Sequence, residues 1–448
     1  MKVVKFGGSS LASAVQLIKT LQIIKDDPKR KFVVVSAPGK RDESDVKVTD
    51  LLIEYGNAFI EKQPLEEIQN KIIQRFTEIT DELEIQDVQK TISENILALA
   101  DLEEEDPARI MDAFKASGEN NNAILYASFL KKNGLNASYV NPKDAGIIVT
   151  NEPGNAMILP EAYDEIVKLR DREGISVIPG FFGYTKDGKI CTFSRGGSDI
   201  TGSIIAAGVM ADLYENFTDV DAIFSAHPGI VRQPREVKEL TFREMRELSY
   251  SGFGVFHDEA LFPVFRADIP VIIKNTNNPE APGTKISTTR KVNGLPVVGI
   301  AGDRGFCSLY LSKYLMNREV GFGRRVLNIL EDFNINFEHM PSGIDDISVI
   351  FRENQLAPED EDKLLTRLKE ELALDEITIK HDLAMLAIVG EGMKSAIGVA
   401  ARATQSFADA DINLEMISQG NSEVTMLFCI EERYLNRGIR AIYDAYFK

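Results

Sequence analysis

Twice in this sequence an apolar, β-rich run stops at a glycine pair and a helix-patterned run follows at once. The first unit is Met1–Phe6, then Gly7-Gly8-Ser9-Ser10, then Leu11–Lys25, where Leu11, Val15, Ile18, Leu21 and Ile24 fall at helical spacing. The second is Ile190–Phe193, then Ser194-Arg195-Gly196-Gly197, then Ile200–Met210. Glycine lets the main chain come close to a bound group, and the first N–H groups of a helix point at whatever sits before it. An anion, above all a phosphate, fits such a place. One glycine turn alone is a weak sign, because many serve only the bend. Two of them, with Lys5 at one strand end and Arg195 in the other turn, point to an anion-binding protein. Asp199 adds a carboxylate able to hold an ammonium group.

Further apolar strand patterns lie at Lys31–Ser36, Ala137–Val140, 175–182, Asp212–Thr218 and Pro270–Lys274. Between them, residues 50–115 carry helical periodicity punctuated by Pro64 and Pro107. Gly118 reads as a break before another helical stretch, Asn121–Asn133. Strands alternating with helices over roughly the first 290 residues predict an α/β sandwich with a mainly parallel sheet. The loop-rich stretch 275–296 reads as a domain boundary. Beyond it the chain repeats itself: Asn334-Ile335-Asn336-Phe337-Glu338-His339-Met340 matches Asp411-Ile412-Asn413-Leu414-Glu415-Met416-Ile417. Each copy has a helix before it and an alternating strand after it, which predicts two small α+β modules. The expected division is a catalytic domain over 1–290 and modules over 297–378 and 379–448.

The net charge of −18, from 51 Lys and Arg against 69 Asp and Glu, disfavours nucleic acid and anionic membranes as partners. It does not oppose an anionic substrate held by a local cluster of cations and amides. The acid-rich stretch 81–106, with Lys90 its only cation, reads as a solvated helical face. No apolar run is long enough to cross a bilayer, and Lys5 and the glycines interrupt any secretory core, so a cytoplasmic protein is expected. Cys191, Cys307 and Cys429 fit no zinc spacing and read as buried thiols.

Lys5-Phe6-Gly7-Gly8-Ser9-Ser10, Ser117-Gly118-Glu119, Phe193-Ser194-Arg195-Gly196-Gly197-Ser198-Asp199 and Phe217-Thr218-Asp219-Val220-Asp221, in this order, resemble the motifs of the aspartate kinases. The paired C-terminal modules look like the two ACT domains of the same enzymes, with Ile417-Ser418-Gln419-Gly420 a typical signature. The resemblance spans essentially the whole chain. It implies an amino-acid-kinase-like three-layer sandwich followed by two ferredoxin-like ACT modules. It also implies ATP- and Mg²⁺-dependent phosphorylation of the L-aspartate side chain to 4-phospho-L-aspartate, a step toward lysine, threonine and methionine.

By the resemblance, Lys5, Arg195 and Asp199 are catalytic. Thr49, Glu119, Arg195, Ser198 and Asp199 bind aspartate, Arg195 at a carboxylate and Glu119 and Asp199 on the amino-group side. The nucleotide falls to Lys5, Gly7, Gly8, Ser9, Gly196, Gly197, Thr218, Asp219 and Phe224. An amino-acid effector, lysine before threonine, is placed at Met316, Glu319, Phe322, Phe337, Glu338 and Ser342; on their own, Met316 and Phe322 would read as core. ACT sheet edges imply at least a homodimer. The chemistry itself needs no general base, because a carboxyl with an ordinary pKa of about 4 is already ionised at neutral pH. The difficulty is bringing an anion to a triphosphate, so the work is positioning and neutralisation.

The nucleotide side departs from the family pattern. Many aspartate kinases continue after Thr-Asp-Val-Asp with Gly-Ile-Tyr and an Asp-Pro-Arg. Here Phe224, His227 and Gly229 stand at the tyrosine, acid and arginine, and Gly254 replaces a family lysine. Arg232 or Lys274 is expected to supply the missing charge. Two other readings compete: a kinase for a related acid such as glutamate, and an amino-acid-sensing homologue with a weak or inactive kinase domain. The altered positions motivate the second; intact Lys5, Glu119, Arg195 and Asp199 oppose it.

Overall fold

The structure, a computed structural model, describes every residue except 195, 255, 257, 293 and 421–423. It divides into two compact units. One comprises Met1–Ile223, Glu236–Arg246 and Gly254–Arg290; the other comprises Phe224–Arg235, Glu247–Phe253 and Lys291–Lys448.

The first unit is built on eight strands: β1 (Lys2–Phe6), β2 (Arg30–Val35), β3 (Ala137–Tyr139), β4 (Ile175–Pro179), β5 (Leu213–Thr218), β6 (Glu239–Thr241), β7 (Val271–Asn275) and β8 (Thr284–Ser287). Their order is β6-β8-β7-β5-β1-β2-β4-β3. From β7 to β3 every pairing is parallel, and only β7–β8 is antiparallel among the described residues. This is the mainly parallel sheet that the strand–helix alternation predicts. Successive side chains of β1 point to opposite faces. Val4 and Phe6 enter a core with Val33 and Val35 of β2, Leu17 and Leu21 of α1 (Ala14–Asp26), and Tyr126 and Leu130 of a long helix. Lys5 points the other way.

Three helices differ from the sequence expectation, each for a local reason. The helix after the first glycine turn begins at Ala14, not Leu11. Gly8–Leu11 forms a single 3₁₀ turn, and the Ser13 hydroxyl then caps the α-helix by accepting from the Gln16 N–H (3.4 Å). The glycine turn therefore opens onto a 3₁₀ turn rather than onto a full helix dipole. After α2 (Val48–Ile60), the helix α3 (Pro107–Lys132) runs straight through Gly118. Gly118 is a contact point, not a break: a Cβ there would lie 2.9 Å from the Ala37 Cβ and 2.9 Å from Leu52 Cδ1. Finally, α4 (Gly197–Gly208) starts three residues before Ile200 and ends two before Met210, which has φ 50°. Asp199 thus sits inside its first turn. There the positive end of the helix favours a carboxylate.

The second unit is one antiparallel six-stranded sheet. Its strands are β9 (Gly299–Ser312), β10 (Phe337–His339), β11 (Asp346–Arg352), β12 (Glu376–Val389), β13 (Met416–Gln419) and β14 (Thr425–Glu431), in the order β10-β11-β9-β12-β14-β13. β9 and β12 pair from Gly299↔Val389 to Ser312↔Glu376. One end of the pair borders β11 and the other borders β14, so both halves of the sheet share these two strands.

The sequence repeat is a structural one. Helices α5 (Phe322–Asp332) and α7 (Val399–Asp409) each follow a glycine of positive φ, Gly321 and Gly398. Each ends on a left-handed residue, Asn334 (φ 59°) and Asp411 (φ 51°). The next amide returns to the helix, Ile335 N–H to the Leu330 carbonyl and Ile412 N–H to the Phe407 carbonyl, both at 3.0 Å. A second helix covers each half, α6 (Pro358–Leu372) and α8 (Leu435–Phe447).

No helix among the described residues is long and apolar enough to cross a membrane. The three cysteines are buried and unpaired, and burial pushes Cys307 and Cys429 up to about 12.

Candidate active site

β1, β2, β4 and β5 point their C-terminal ends the same way, and the chain order reverses at β1: β2 lies on one side of it and β5 on the other. In an open parallel sheet, ligands bind outside the strand ends at such a reversal. Both glycine turns open there.

The turn after β1 is held tightly. The Gly7 N–H donates to the Phe217 carbonyl of β5 (3.1 Å), so that amide is engaged within the sheet. The Gly39 N–H donates to the Gly8 carbonyl (2.9 Å), and a Cβ on Gly39 would lie 2.6 Å from the Gly8 carbonyl carbon. The loops after β1 and β2 therefore touch backbone to backbone. Arg75, almost fully buried, ties them from behind. It donates to the carbonyls of Gly39 (2.8 Å) and Ala12 (3.2 Å) and lies 3.0 Å from an Asp45 oxygen.

The second turn is seated on the loop after β4. Gly196 takes φ +76°, a left-handed conformation that a side chain would strain, and a Cβ on Gly197 would lie 2.4 Å from the Phe181 ring. Ser198, buried, packs against Gly180. Asp199 then meets two groups from adjacent strands. Its Oδ1 is 2.5 Å from the Lys5 Nζ and accepts from the Asn216 amide (2.6 Å). Lys5 and Asn216 are register partners on β1 and β5, which places both side chains on the face that α4 covers. Lys5 is 7% exposed.

Glu119 approaches from α3. Gly118 lets the helix close on Ala37 and on Leu52 and Val48 of α2, and so brings Glu119 toward the loop after β2. Thr49, half-buried, is in the first turn of α2 beside that contact. Glu119 lies mid-helix, so a helix-start role does not explain it. Burial pushes its carboxyl up to about 8, against the pull of the Ala37 N–H and of the Lys5 charge. Its Oε2 has no hydrogen-bond partner among the described residues.

Arg195 lies outside the described residues. Thr218 ends β5 and its hydroxyl reaches the Asp219 carboxylate (3.2 Å); Lys274 on β7 is the register partner of Phe217. Ser9 lies in the 3₁₀ turn. Phe224 and Arg232 belong to the second unit.

Of the expected effector residues, Met316 and Phe322 are in the core of the α5 half of the sheet. Glu319 pairs with Lys313 and with Arg325 (2.5 Å), and the Lys313 ammonium first among these holds its carboxyl below the ordinary range. Glu338 accepts from the Tyr250 hydroxyl and lies 3.5 Å from the Arg352 Nε. Phe337 and Ser342 are exposed.

Three residues of the site region escape a reading by motif. Asn216 and Arg75 are two. The third, Asp112, is buried on α3 and accepts from Thr192 N–H (2.8 Å), Thr192 Oγ1 (2.6 Å) and Gly154 N–H (2.9 Å), fixing the strand that leads into the second glycine turn. No local sequence signal marks them, because their partners are distant in the chain.

Fold and site together define an α/β unit whose strand ends bring Lys5, Asp199 and Asn216 together near buried Glu119, followed by paired α+β modules. Residues 1–275 match the Amino acid kinase family, and residues 386–446 match an ACT domain. Over its full length the chain is 52% identical to Aspartokinase 3 of Bacillus subtilis (strain 168), covering 99% of that protein. It is 28% identical to the chloroplastic Aspartokinase 1 of Arabidopsis thaliana, covering 80% of it. Among solved structures, the aspartate kinase of Clostridium acetobutylicum superposes with a TM-score of 0.86 at 37% identity, each chain covered completely. Aspartokinase III of E. coli, in complex with aspartate and ADP, shares the fold over both complete chains, at a TM-score of 0.80 and 23% identity. The chain belongs to the amino acid kinase family and, within it, to the aspartokinases.

Proposed function

We propose that this chain transfers the γ-phosphoryl group of ATP to the side-chain carboxylate of L-aspartate. An oxygen of that carboxylate forms the new P–O bond, the bond from the γ-phosphorus to the β,γ-bridging oxygen breaks, and ADP leaves with the electron pair. No proton need move. The observation that carries the reading is the meeting of Lys5, Asp199 and Asn216 at the ends of β1 and β5, with buried Glu119 nearby. Lys5 neutralises the transferring phosphoryl group, and the backbone of Gly8, Ser9, Gly196 and Gly197 cradles phosphate oxygens. Glu119 and Asp199 receive the substrate ammonium. Thr49, Ser198 and Arg195 orient the carboxylates. Mg²⁺ carried in with ATP would neutralise β- and γ-oxygens. No group of three or more His, Cys, Asp or Glu among the described residues is arranged for a metal ion, so no residue here is assigned to it.

On this reading residues 1–290 form the catalytic domain and 297–378 and 379–448 the regulatory modules of a cytoplasmic enzyme. The short edge strands β10 and β13 pair across a homodimer. Lysine is the first effector to test, with Glu319, Phe337, Glu338 and Ser342 around it and Met316 and Phe322 as its apolar floor. E. coli aspartokinase III, of the same fold, has been solved with lysine and aspartate.

The test is ADP release from ATP and Mg²⁺ with aspartate and, separately, glutamate, each with added lysine, threonine or methionine. Turnover with aspartate, suppressed by lysine, is expected. Faster turnover with glutamate would replace the substrate. No turnover with either, in a protein that still binds lysine, would make it a sensor. For the nucleotide, Lys274→Ala is expected to raise KM for ATP about tenfold or more and to leave KM for aspartate within twofold, the loss of one charge-assisted contact. Arg232→Ala run alongside decides between the two cations. No change with either removes both.

A further inference from the structure

Buried polar atoms in folded proteins nearly always have a partner, and each exception needs a cause. Two such exceptions stand one helical turn apart on α3: Oε2 of Glu119 and Oδ1 of Asn122. Residues three apart on a helix are neighbours on one face. Both residues also grip the same peptide group, between Ser36 and Ala37. The Asn122 amide donates to the Ser36 carbonyl (2.6 Å), and the Ala37 N–H serves the Glu119 carboxylate. Asn122 thus uses its amide to hold the loop after β2 and leaves Oδ1 over, and Glu119 beside it leaves Oε2 over. Asn122 itself is fully buried.

We infer that Asn122 is a specificity residue, whose Oδ1 joins Glu119 Oε2 to receive the ammonium group of an amino-acid substrate. This rests on the substrate reading above and deepens it. An ammonium has three donors and no acceptor, so it suits two acceptors one helical turn apart that no described residue satisfies. A deaminated substrate of the same length brings no donor and leaves both oxygens as they were. None of the motif positions includes Asn122.

The experiment is calorimetric titration of the full chain, at saturating ADP and Mg²⁺, with L-aspartate and with succinate. In Asn122→Ala, aspartate is expected to weaken about ten- to a hundredfold, as for loss of a hydrogen bond to a charged group, and succinate less than threefold. Asn122→Asp keeps an acceptor but loses the donor to Ser36. It should retain the preference for aspartate over succinate, and it serves as the main readout if the alanine variant does not fold. If Asn122→Ala weakens both ligands by the same factor, or neither, Asn122 only holds the loop and the inference is overturned while the substrate reading stands. If Asn122→Asp loses the preference, the inference falls in the same way. An unaltered protein that binds no aspartate overturns both.

Discussion

Lys5→Met is expected to lower kcat for phosphoryl transfer to aspartate by about a thousandfold, with KM for aspartate changed far less. The size follows from the chemistry: the acceptor is already an anion, so almost all of the acceleration must come from fixed positive charge and donors where charge builds up. Among the described residues, Lys5 is the one cation paired with Asp199 at the end of the central strand, 2.5 Å from it and nearly buried. The substitution also strands Asp199, which keeps only the Asn216 amide among these two contacts. Removing one partner of a buried charge pair costs more than the pair contributes, here about 2 kcal/mol given the partial exposure of Asp199. Adding Asp199→Asn to Lys5→Met should therefore recover much of the thermal stability and none of the activity. Steady-state ADP release and a thermal melt of the two variants check both halves. If the double variant recovers activity, or Lys5→Met keeps more than a tenth of kcat, Lys5 does not bear the transferring charge.

The parts of this molecule that were legible in the sequence are those governed by short-range rules. Val3, Val4, Val33 and Val34 are strand-formers in unbroken runs, which only a sheet covered on both faces buries, so the parallel sheet could be read directly. The module repeat was visible because each copy turns off its helix through a left-handed residue, and Asn334 and Asp411 are types that tolerate that conformation. Gly118 was misread because a glycine inside a helix pattern costs stability and so resembles a stop. The compensation lies 81 positions earlier in the chain, at Ala37, and 66 earlier, at Leu52, where a methyl group would collide. The helix starts at Ala14 and Gly197 were shifted for the same kind of reason. Capping by Ser13 and seating against Phe181 decide them, and apolar spacing reports neither. Within the site, Lys5, Glu119 and Asp199 could be named from motifs. Asn216 could not, because its role exists only through the register that sets it beside Lys5. Arg75 and Asp112 hold loops from behind, and no local pattern marks a residue whose partners are distant carbonyls and amides.

The affinity for aspartate is expected to rise with pH between 6 and 8 and to level off above, and Glu119→Gln to abolish that dependence. Burial holds the Glu119 carboxyl protonated up to about pH 8, while an ammonium is received by the carboxylate. Below pH 8, binding must therefore expel a proton, and the apparent dissociation constant should fall about tenfold per pH unit until the group is ionised unaided. Calorimetry at pH 7 in buffers of different ionisation enthalpy should register close to one proton released per aspartate bound. Stability runs the opposite way. From the ordinary glutamate pKa of about 4 up to about 8, the folded chain binds a proton that the unfolded chain has lost, so this group's contribution to stability declines as pH rises through that window. Glu119→Gln, neutral at every pH, removes the decline. It should melt higher than the unaltered protein, most clearly above pH 8, while binding aspartate far more weakly. That pairing of gain and loss is what separates a substrate-receiving carboxylate from a structural one, which would not leave Oε2 without a partner among the described residues. A dissociation constant flat from pH 6 to 8.5, or a Glu119→Gln variant that melts lower and binds aspartate unchanged, would show that the substrate ammonium is held elsewhere.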